Sequence, residues 1–258
     1  MEVNKIISHA LQSMPPSKRQ KAFAKDTSKL IHMGLNENNY GMSPKAVAAL
    51  EDSMAGSHFY PDFAAVLLKQ KVAEQYGLKA ENVLTGAGSS AMIDMIGLTF
   101  LDEGDEVLFS TPTYGAFADM AYLNGGVPVS VPVTEEQKFN LPAMKEKIGE
   151  KTKIVVICNP NNPTGTYVPI GELEAFADTL PEDVLLVMDE AYMEFATEPD
   201  CCSMVDYMKA HPDASLFLSA ALRRARLSAP LHITHMQKPR AGHWPALVLC
   251  SVTASRSA

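Results

Sequence analysis

The apolar positions of this chain fall into two kinds of stretch that alternate along the sequence. Continuous apolar runs predict strands that begin near residue 83 and span residues 106–109, 128–133, 153–158, 183–188 and 214–218. Helical spacing of apolar residues is found between them, at residues 45–54, 62–76, 114–124, 141–148 and 172–180. Strands that read as continuous apolar runs are typical of a buried parallel sheet, and the alternation with helices predicts a doubly wound α/β fold.

The strand predicted at residues 153–158 ends in a loop of unusual composition, Asn-Pro-Asn-Asn-Pro-Thr-Gly, at residues 159–165. Each proline fixes its own φ angle and keeps the preceding residue out of the helical region. The loop is therefore expected to present Asn159 and Asn162 in set directions. Ligands of open α/β sheets bind beyond the carboxyl ends of the strands, so this is a candidate binding loop. The alternative is a structural turn that is rich in asparagine.

The next apolar strand runs into Asp189-Glu190-Ala191-Tyr192. A carboxylate at the end of a buried strand is costly unless a cation or a hydrogen-bond donor meets it. The hydroxyl of Tyr192, three residues further on, can reach the same place. These residues are therefore expected to complete a site with the asparagine loop.

A third candidate loop reads Gly-Ala-Gly-Ser-Ser at residues 86–90 and leads directly into a predicted helix. Glycine lets a phosphate approach the backbone, and the amide groups of a helix N-terminus favour an anion. The hydroxyls of Ser89 and Ser90 can add hydrogen bonds. Many tight turns have this composition, so the loop indicates a binding site only in combination with the asparagine loop and the Asp-Glu-Ala-Tyr segment.

Taken together, the asparagine loop and the Asp-Glu-Ala-Tyr segment resemble the cofactor site of fold-type I aminotransferases, which use pyridoxal 5'-phosphate. The nearest likeness is to histidinol-phosphate aminotransferases. The resemblance implies a three-layer α/β/α large domain at residues 34–218, an N-terminal arm at residues 1–33 and an incomplete small domain. It also implies a homodimer that transfers an amino group from an amino donor to a 2-oxo acid. A threonine-phosphate decarboxylase-like enzyme of the same fold and a non-catalytic, truncated fragment stay open as alternatives.

The resemblance assigns cofactor-binding roles to eight residues. Asp189 would pair with the pyridinium nitrogen, Asn162 and Tyr192 would bind the ring 3-oxygen, Tyr114 would stack on the ring, and Gly88, Ser89, Ser90 and Tyr60 of the neighbouring subunit would hold the phosphate. Tyr114 lies in a Pro-Thr-Tyr segment and Tyr60 in a Phe-Tyr-Pro-Asp segment, each of which resembles a family motif.

The lysine that forms the Schiff base in the family has no counterpart here. In the family it follows the strand equivalent to residues 214–218, where this chain continues Ser-Ala-Ala-Leu-Arg at residues 219–223. Arginine cannot replace it, because a guanidinium stays protonated and is not a useful amine nucleophile. No catalytic residue is therefore assigned, and the chain is expected to lack transaminase activity.

The composition changes abruptly at the same place. All 30 acidic residues lie at or before Asp213, whereas residues 214–258 contain six lysines and arginines. A change of reading frame near residues 216–222 would explain the loss of acidic residues and of the family motif together. A genuine basic interaction tail is the alternative. Residues 219–258 are accordingly expected not to adopt the family's native structure.

Charge and composition exclude several other classes of function. A formal net charge of −8 argues against binding to nucleic acid or to an anionic membrane surface. No apolar run is long enough to predict a membrane span, and the first residues do not read as a signal peptide. The four cysteines lack the spacing of a metal site or of a disulfide framework, which favours a reducing, cytoplasmic setting and no bound metal.

Overall fold

The structure of the chain is a computed structural model that describes residues 8–15, 31, 36, 38, 40–221 and 247–251. Its centre is a sheet in which every neighbouring pair of strands is parallel. The strands are β1 (Val83–Gly86), β2 (Glu106–Thr111), β3 (Val127–Pro132), β4 (Thr152–Cys158), β5 (Leu185–Asp189), β6 (Leu216–Ala221) and β7 (Leu247–Ser251). Their order across the sheet is β1-β7-β6-β5-β4-β2-β3, which confirms the predicted parallel α/β fold.

The helices precede or connect these strands. They are α1 (His9–Ser13), α2 (Pro44–Met54), α3 (Val66–Tyr76), α4 (Ser89–Phe100), α5 (Ala116–Leu123), α6 (Leu141–Lys147), α7 (Ile170–Ala177) and α8 (Val205–Ala210). Short 3-10 helices lie at Ala80–Asn82 and Met193–Phe195. None of the helices in the described part of the chain has both the length and the apolar character that crossing a membrane requires.

The core lies around the central strands β4 and β5. Consecutive residues of β5 are all buried, as are nearly all of those in β4. Successive side chains of a strand point to opposite faces, so burial of both sets means that both faces of the sheet are covered. The carboxyl ends of these two buried strands are therefore held in a rigid setting.

Helix α3 begins later than the helical pattern predicted. The carboxylate of Asp62 accepts hydrogen bonds from the amides of Ala64 (3.0 Å) and Val66 (2.8 Å). Ala65 between them has φ +48°, outside the helical region. The helix therefore starts at Val66, and it ends as predicted at Gly77, where φ is +64°.

Part of the basic tail lies in the sheet. Strand β6 extends to Ala221, and β7 lies between β1 and β6. That residues 219–258 do not adopt the family's native structure remains a prediction. The other tail residues, and most of the arm expected at residues 1–33, lie outside the described residues.

Candidate functional site

The asparagine loop and the Asp-Glu-Ala-Tyr segment leave the sheet side by side. Cys158 and Asp189 are register partners at the ends of β4 and β5. The amide of Asn159 donates to the carbonyl oxygen of Asp189 at 2.9 Å. Burial, with a further contribution from Asp189, raises the pKa of the Cys158 thiol, so this thiol stays protonated. The two strand ends thus form one rigid base for the loops above them.

Asp189 is buried at this base, with 4% of its surface exposed. Its Oδ1 accepts a hydrogen bond from the amide of Ala191 at 3.1 Å. A carboxylate of low exposure at the end of a central strand is what the sequence pattern predicted.

Asn162 and Tyr192 meet above the strand ends. The Nδ2 of Asn162 donates to the hydroxyl of Tyr192 at 3.5 Å, and the Nδ2 of Asn36 donates to the same hydroxyl at 2.7 Å. Three segments of the chain therefore converge on one phenol oxygen. Asn36 belongs to the turn-rich stretch before α2, and its part in this cluster was not predicted.

Asn159 is held in a set direction by the backbone of its own segment. Its side chain is buried and bonded to the backbone of Val168, accepting from the amide at 2.7 Å and donating to the carbonyl at 3.1 Å. It holds the two ends of the asparagine loop together. Of the two asparagines expected to be presented in set directions, Asn162 is the one that bonds to Tyr192.

Tyr114 and Ser90 come together from two different loops. Their hydroxyl oxygens are 3.5 Å apart, and the ring of Tyr114 packs edge-on against Phe117 at 5.9 Å. The contact arises because α4, which starts at Ser89, packs beside α5, which follows Tyr114. The glycine-serine turn and the aromatic candidate are therefore neighbours.

The turn before α4 has the geometry of an anion-binding loop. Gly88 precedes the helix with φ +91°, a conformation that side-chain-bearing residues rarely adopt. A Cβ on Gly86 would lie 2.3 Å from the sulfur of Met92, so the backbone approaches the helix closely. The first amides of a helix have no partner within it, and here those of Ser89 and Ser90 begin α4.

Glu190 holds the segment after β5 against helix α8. Its carboxylate accepts from the hydroxyl of Ser203 at 2.6 Å and from the amide of Met204 at 2.8 Å. Burial raises the pKa of Glu190 to about 7, against the opposing effect of these two hydrogen bonds. Glu190 was quoted in the sequence motif without a role, and the structure gives it an anchoring one.

Tyr60 is separate from the other predicted residues within this chain. It is 87% exposed, and its ring lies near that of Phe63, with centroids 5.7 Å apart. Its expected role, to reach the site of a neighbouring subunit, remains a prediction.

A cavity of about 640 Å³ opens beside the Asn162–Tyr192 pair. Its lining includes Asn36, Tyr167, Phe195 and Glu198, together with residues of the asparagine loop. Of the predicted cofactor-binding residues in the described chain, Asn162 and Tyr192 line it, whereas Asp189, Tyr114, Tyr60 and the Gly88–Ser90 turn do not. A ligand in this space would meet aromatic rings and amide groups.

The comparisons with known proteins agree with this arrangement. A family profile described as "Aminotransferase class I and II" matches residues 28–221. Histidinol-phosphate aminotransferase 2 of Carboxydothermus hydrogenoformans is 40% identical over 161 residues, which are 62% of this chain and 44% of that protein. Histidinol-phosphate aminotransferase of Staphylococcus carnosus is 37% identical over 203 residues, 79% of this chain and 57% of that protein. The chain thus spans about half the length of these curated relatives.

Solved structures give the same result. Histidinol-phosphate aminotransferase from Sinorhizobium meliloti, in complex with pyridoxal-5'-phosphate, matches with a TM-score of 0.66 and 27% identity over 76% of this chain and 53% of that chain. A double mutant of Thermus thermophilus aspartate aminotransferase matches with a TM-score of 0.67 and 26% identity. The match covers 80% of this chain and 58% of that chain. The fold, the shared motifs and the extent of the family match lead to one conclusion: the chain belongs to the class I and II aminotransferases.

Proposed function

We propose that this chain binds pyridoxal 5'-phosphate beyond the carboxyl ends of β4 and β5, as part of an aminotransferase of the histidinol-phosphate type. The observation that carries the proposal is the contact of Asn162, in the loop after β4, with Tyr192, in the segment that follows Asp189 at the buried end of β5. Two neutral hydrogen-bonding groups and a buried carboxylate from neighbouring strand ends suit a flat ring that has a polar edge and a basic nitrogen.

The described residues fit such a cofactor in chemical type. Asp189 would accept a hydrogen bond from the protonated ring nitrogen, and Asn162 and Tyr192 would bind the ring oxygen. The Gly88–Ser90 turn, at the start of α4, would hold the phosphate with backbone amides and hydroxyls. Tyr114 lies beside Ser90, which would bring its ring near the same ligand.

Bound pyridoxal phosphate supplies an electron sink for reactions at the α-carbon of an amino acid. Proton transfer at that carbon requires a basic side chain, which is a lysine in the resemblance stated above. This sequence has no lysine between Lys209 and Lys238. Lys209 lies on α8, before β6, with its Nζ 3.0 Å from the carboxylate of Asp206. We therefore propose that this chain holds the cofactor without turnover.

The substrates and the oligomer follow from the same proposal. For the whole protein we propose an amino donor related to histidinol phosphate, because the curated relatives named above are histidinol-phosphate aminotransferases. A 2-oxo acid would be the acceptor, and a second copy of the chain would be the partner.

The proposal is tested by titrating the purified chain with pyridoxal phosphate and following the ring's circular dichroism. Saturable binding is expected, and borohydride reduction should leave no lysine labelled, because the ligand is held without a covalent bond. Tyr192→Phe removes the hydroxyl shared with Asn162 and should weaken binding about fivefold to tenfold, the loss of roughly one hydrogen bond.

Tyr207→Phe is the matched control. Its hydroxyl is bonded to Asp178 at 2.8 Å, at the side of α8, so the same chemical change there should leave the affinity as in the wild type. Absence of saturable binding by the wild-type chain would refute the proposed site. A single labelled lysine after reduction would refute the proposed lack of turnover.

A further inference from the structure

Asn161 is the residue between the two Asn-Pro pairs of the asparagine loop, and its side chain is hydrogen-bonded through all of its polar groups. It is 3% exposed, and its Oδ1 accepts from the hydroxyl of Thr113 at 2.8 Å. Its Nδ2 donates to the carbonyl of Pro112 at 3.0 Å and to the hydroxyl of Thr164 at 2.9 Å. Both hydrogens of the amide and its oxygen are therefore engaged.

The backbone of Asn161 is equally fixed. Its amide donates to the carbonyl of Thr166, and its carbonyl accepts from the amide of Gly165, each at 2.8 Å. The side chain is thus held firmly by its own loop, and it reaches across to a loop that lies 48 residues earlier in the sequence. A buried amide with all of its groups satisfied is costly to disturb, because a lost partner leaves a desolvated polar group.

The two loops that Asn161 joins carry two of the proposed ligand-binding residues. Tyr114 follows Thr113 in the loop after β2, and Asn162 follows Asn161 in the loop after β4. β2 and β4 are paired at Glu106–Leu108, near the opposite ends of these strands from the two loops. A side-chain connection beyond the last paired residues is therefore needed to fix one loop relative to the other.

We propose that Asn161 is a positioning residue, which sets Tyr114 relative to Asn162 by joining their loops. This proposal rests on the proposed function for its purpose, because Tyr114 and Asn162 are assigned to the same cofactor there. Asn161 also lines the cavity beside Asn162 and Tyr192, but its side-chain amide and oxygen are all engaged within the protein. Its effect would pass through Thr113 to the adjacent ring.

Two threonine variants separate this role from ordinary support of a loop. Thr113→Val removes one of the two hydrogen bonds between the loops and leaves the bond to the Pro112 carbonyl. Thr164→Val instead removes a bond that Asn161 makes within its own loop, together with the contact between the Thr164 and Thr166 hydroxyls. Both changes replace a half-buried hydroxyl by a methyl group. Amide hydrogen exchange, measured without ligand, should become faster at residues 113–115 in Thr113→Val. In Thr164→Val the faster exchange should be confined to residues 161–167.

The second measurement is the circular dichroism of bound pyridoxal phosphate, with its dissociation constant. Thr113→Val should bind at least about fivefold more weakly and alter the ring signal, since an aromatic neighbour has moved. Thr164→Val should leave the ring signal as in the wild type, because Asn161 keeps both of its bonds to the loop of Tyr114. Asn161→Ala should reproduce the effect of Thr113→Val on both measurements. If Asn161→Ala fails to fold, the comparison of Thr113→Val with Thr164→Val still tests the proposal.

Equal exchange rates at residues 113–115 in wild type and Thr113→Val would overturn the proposal, as would identical behaviour of the two threonine variants. If the wild-type chain binds no pyridoxal phosphate, the proposed function fails. The exchange rates then still decide whether Asn161 couples the two loops.

Discussion

Among the single residues of the described chain, Glu190 has an unusual electrostatic setting. Its carboxylate is buried beside Asp189 and is held by Ser203 and Met204. The cost of burying a charge exceeds the gain from two hydrogen bonds, and the pKa rises from 4.5 to about 7. The folded chain therefore retains a proton at this site under conditions where the unfolded chain has lost it.

The pH dependence of stability follows from that difference. Between pH 4.5 and 7 the folded state binds more protons at Glu190 than the unfolded state does, so the free energy of unfolding falls as the pH rises. The full effect is on the order of 3 kcal/mol by pH 7 and above. Glu190→Gln keeps an acceptor for Met204 and a partner for Ser203 but cannot ionise. Urea unfolding at pH 4.5 and pH 7.5 should show the variant gaining stability relative to wild type at the higher pH.

Glu182→Gln, at an exposed carboxylate, controls for the loss of one negative charge. If the free energies of unfolding of wild type and Glu190→Gln differ by the same amount across this pH range, the raised pKa assigned to Glu190 would be contradicted. A difference that favours the wild type more strongly at pH 7.5 would contradict it too.

The residues that the sequence pattern singled out differ in one physical respect from those that only the structure drew attention to. Asp189, Asn162 and Tyr192 were predicted because each stands at a recognisable strand end in a motif. Asn161, Glu190 and Asn36 acquire their roles from partners that are remote in the chain or outside the motif. No local pattern encodes such a partner, so their roles were visible only once the loops were placed together.

At the scale of elements, the strands of the sheet up to β6 were predictable and their limits less so. Continuous apolar runs identified them within a few residues, since burial of the central strands β4 and β5 on both faces leaves a strong signal. The start of α3 was missed because Asp62 competes for the first amides of the helix. Helix α8 was not predicted, because six residues are too few to show a helical period. Strand β7 was not predicted, because it lies in the basic tail that was expected not to adopt the family's native structure.

The packing of α4 on α5 depends on a missing side chain. A Cβ on Gly97 would lie 2.3 Å from Nδ2 of Asn124 and 2.7 Å from Cγ of Met120. Gly97→Ala would gain up to about 1 kcal/mol of helix propensity, yet the overpacking costs about 1–3 kcal/mol. The variant should therefore be less stable in chemical denaturation by about 1 kcal/mol or more.

Gly171→Ala provides the comparison on α7. Gly171 is exposed, and a Cβ there would meet nothing within 4 Å. The same substitution should therefore stabilise the chain by about 0.5 kcal/mol, because the higher helix propensity of alanine is not offset by a steric clash. Equal effects of the two substitutions would show that α4 and α5 do not pack as closely as described.

For the whole molecule, the distribution of exposed apolar surface bears on the proposed partner. Helix α2 has no buried residue within the described structure, and Val47, Leu50 and Met54 form one exposed apolar stripe along it. Phe59, Tyr60 and Phe63 continue the exposed surface after the helix. Apolar surface of this extent is typical of a protein interface, and the proposed homodimer supplies a second copy to cover it.

Charge on that stripe should therefore weaken self-association. Leu50→Glu is expected to shift the sedimentation profile from dimer towards monomer, since a buried unpaired carboxylate is costly at an interface. Ala48→Glu adds the same charge to α2 away from the stripe and should leave the profile unchanged. A monomeric wild-type chain, or dimers of equal strength in both variants, would exclude α2 from the interface.

The bonds of Asn161 to Pro112 and Thr113 have a consequence for protein engineering. An asparagine loop transplanted into another scaffold would arrive with a buried amide whose partners had been left behind. The loop after β4 and the loop after β2 must therefore be transplanted together, although they are distant in the sequence.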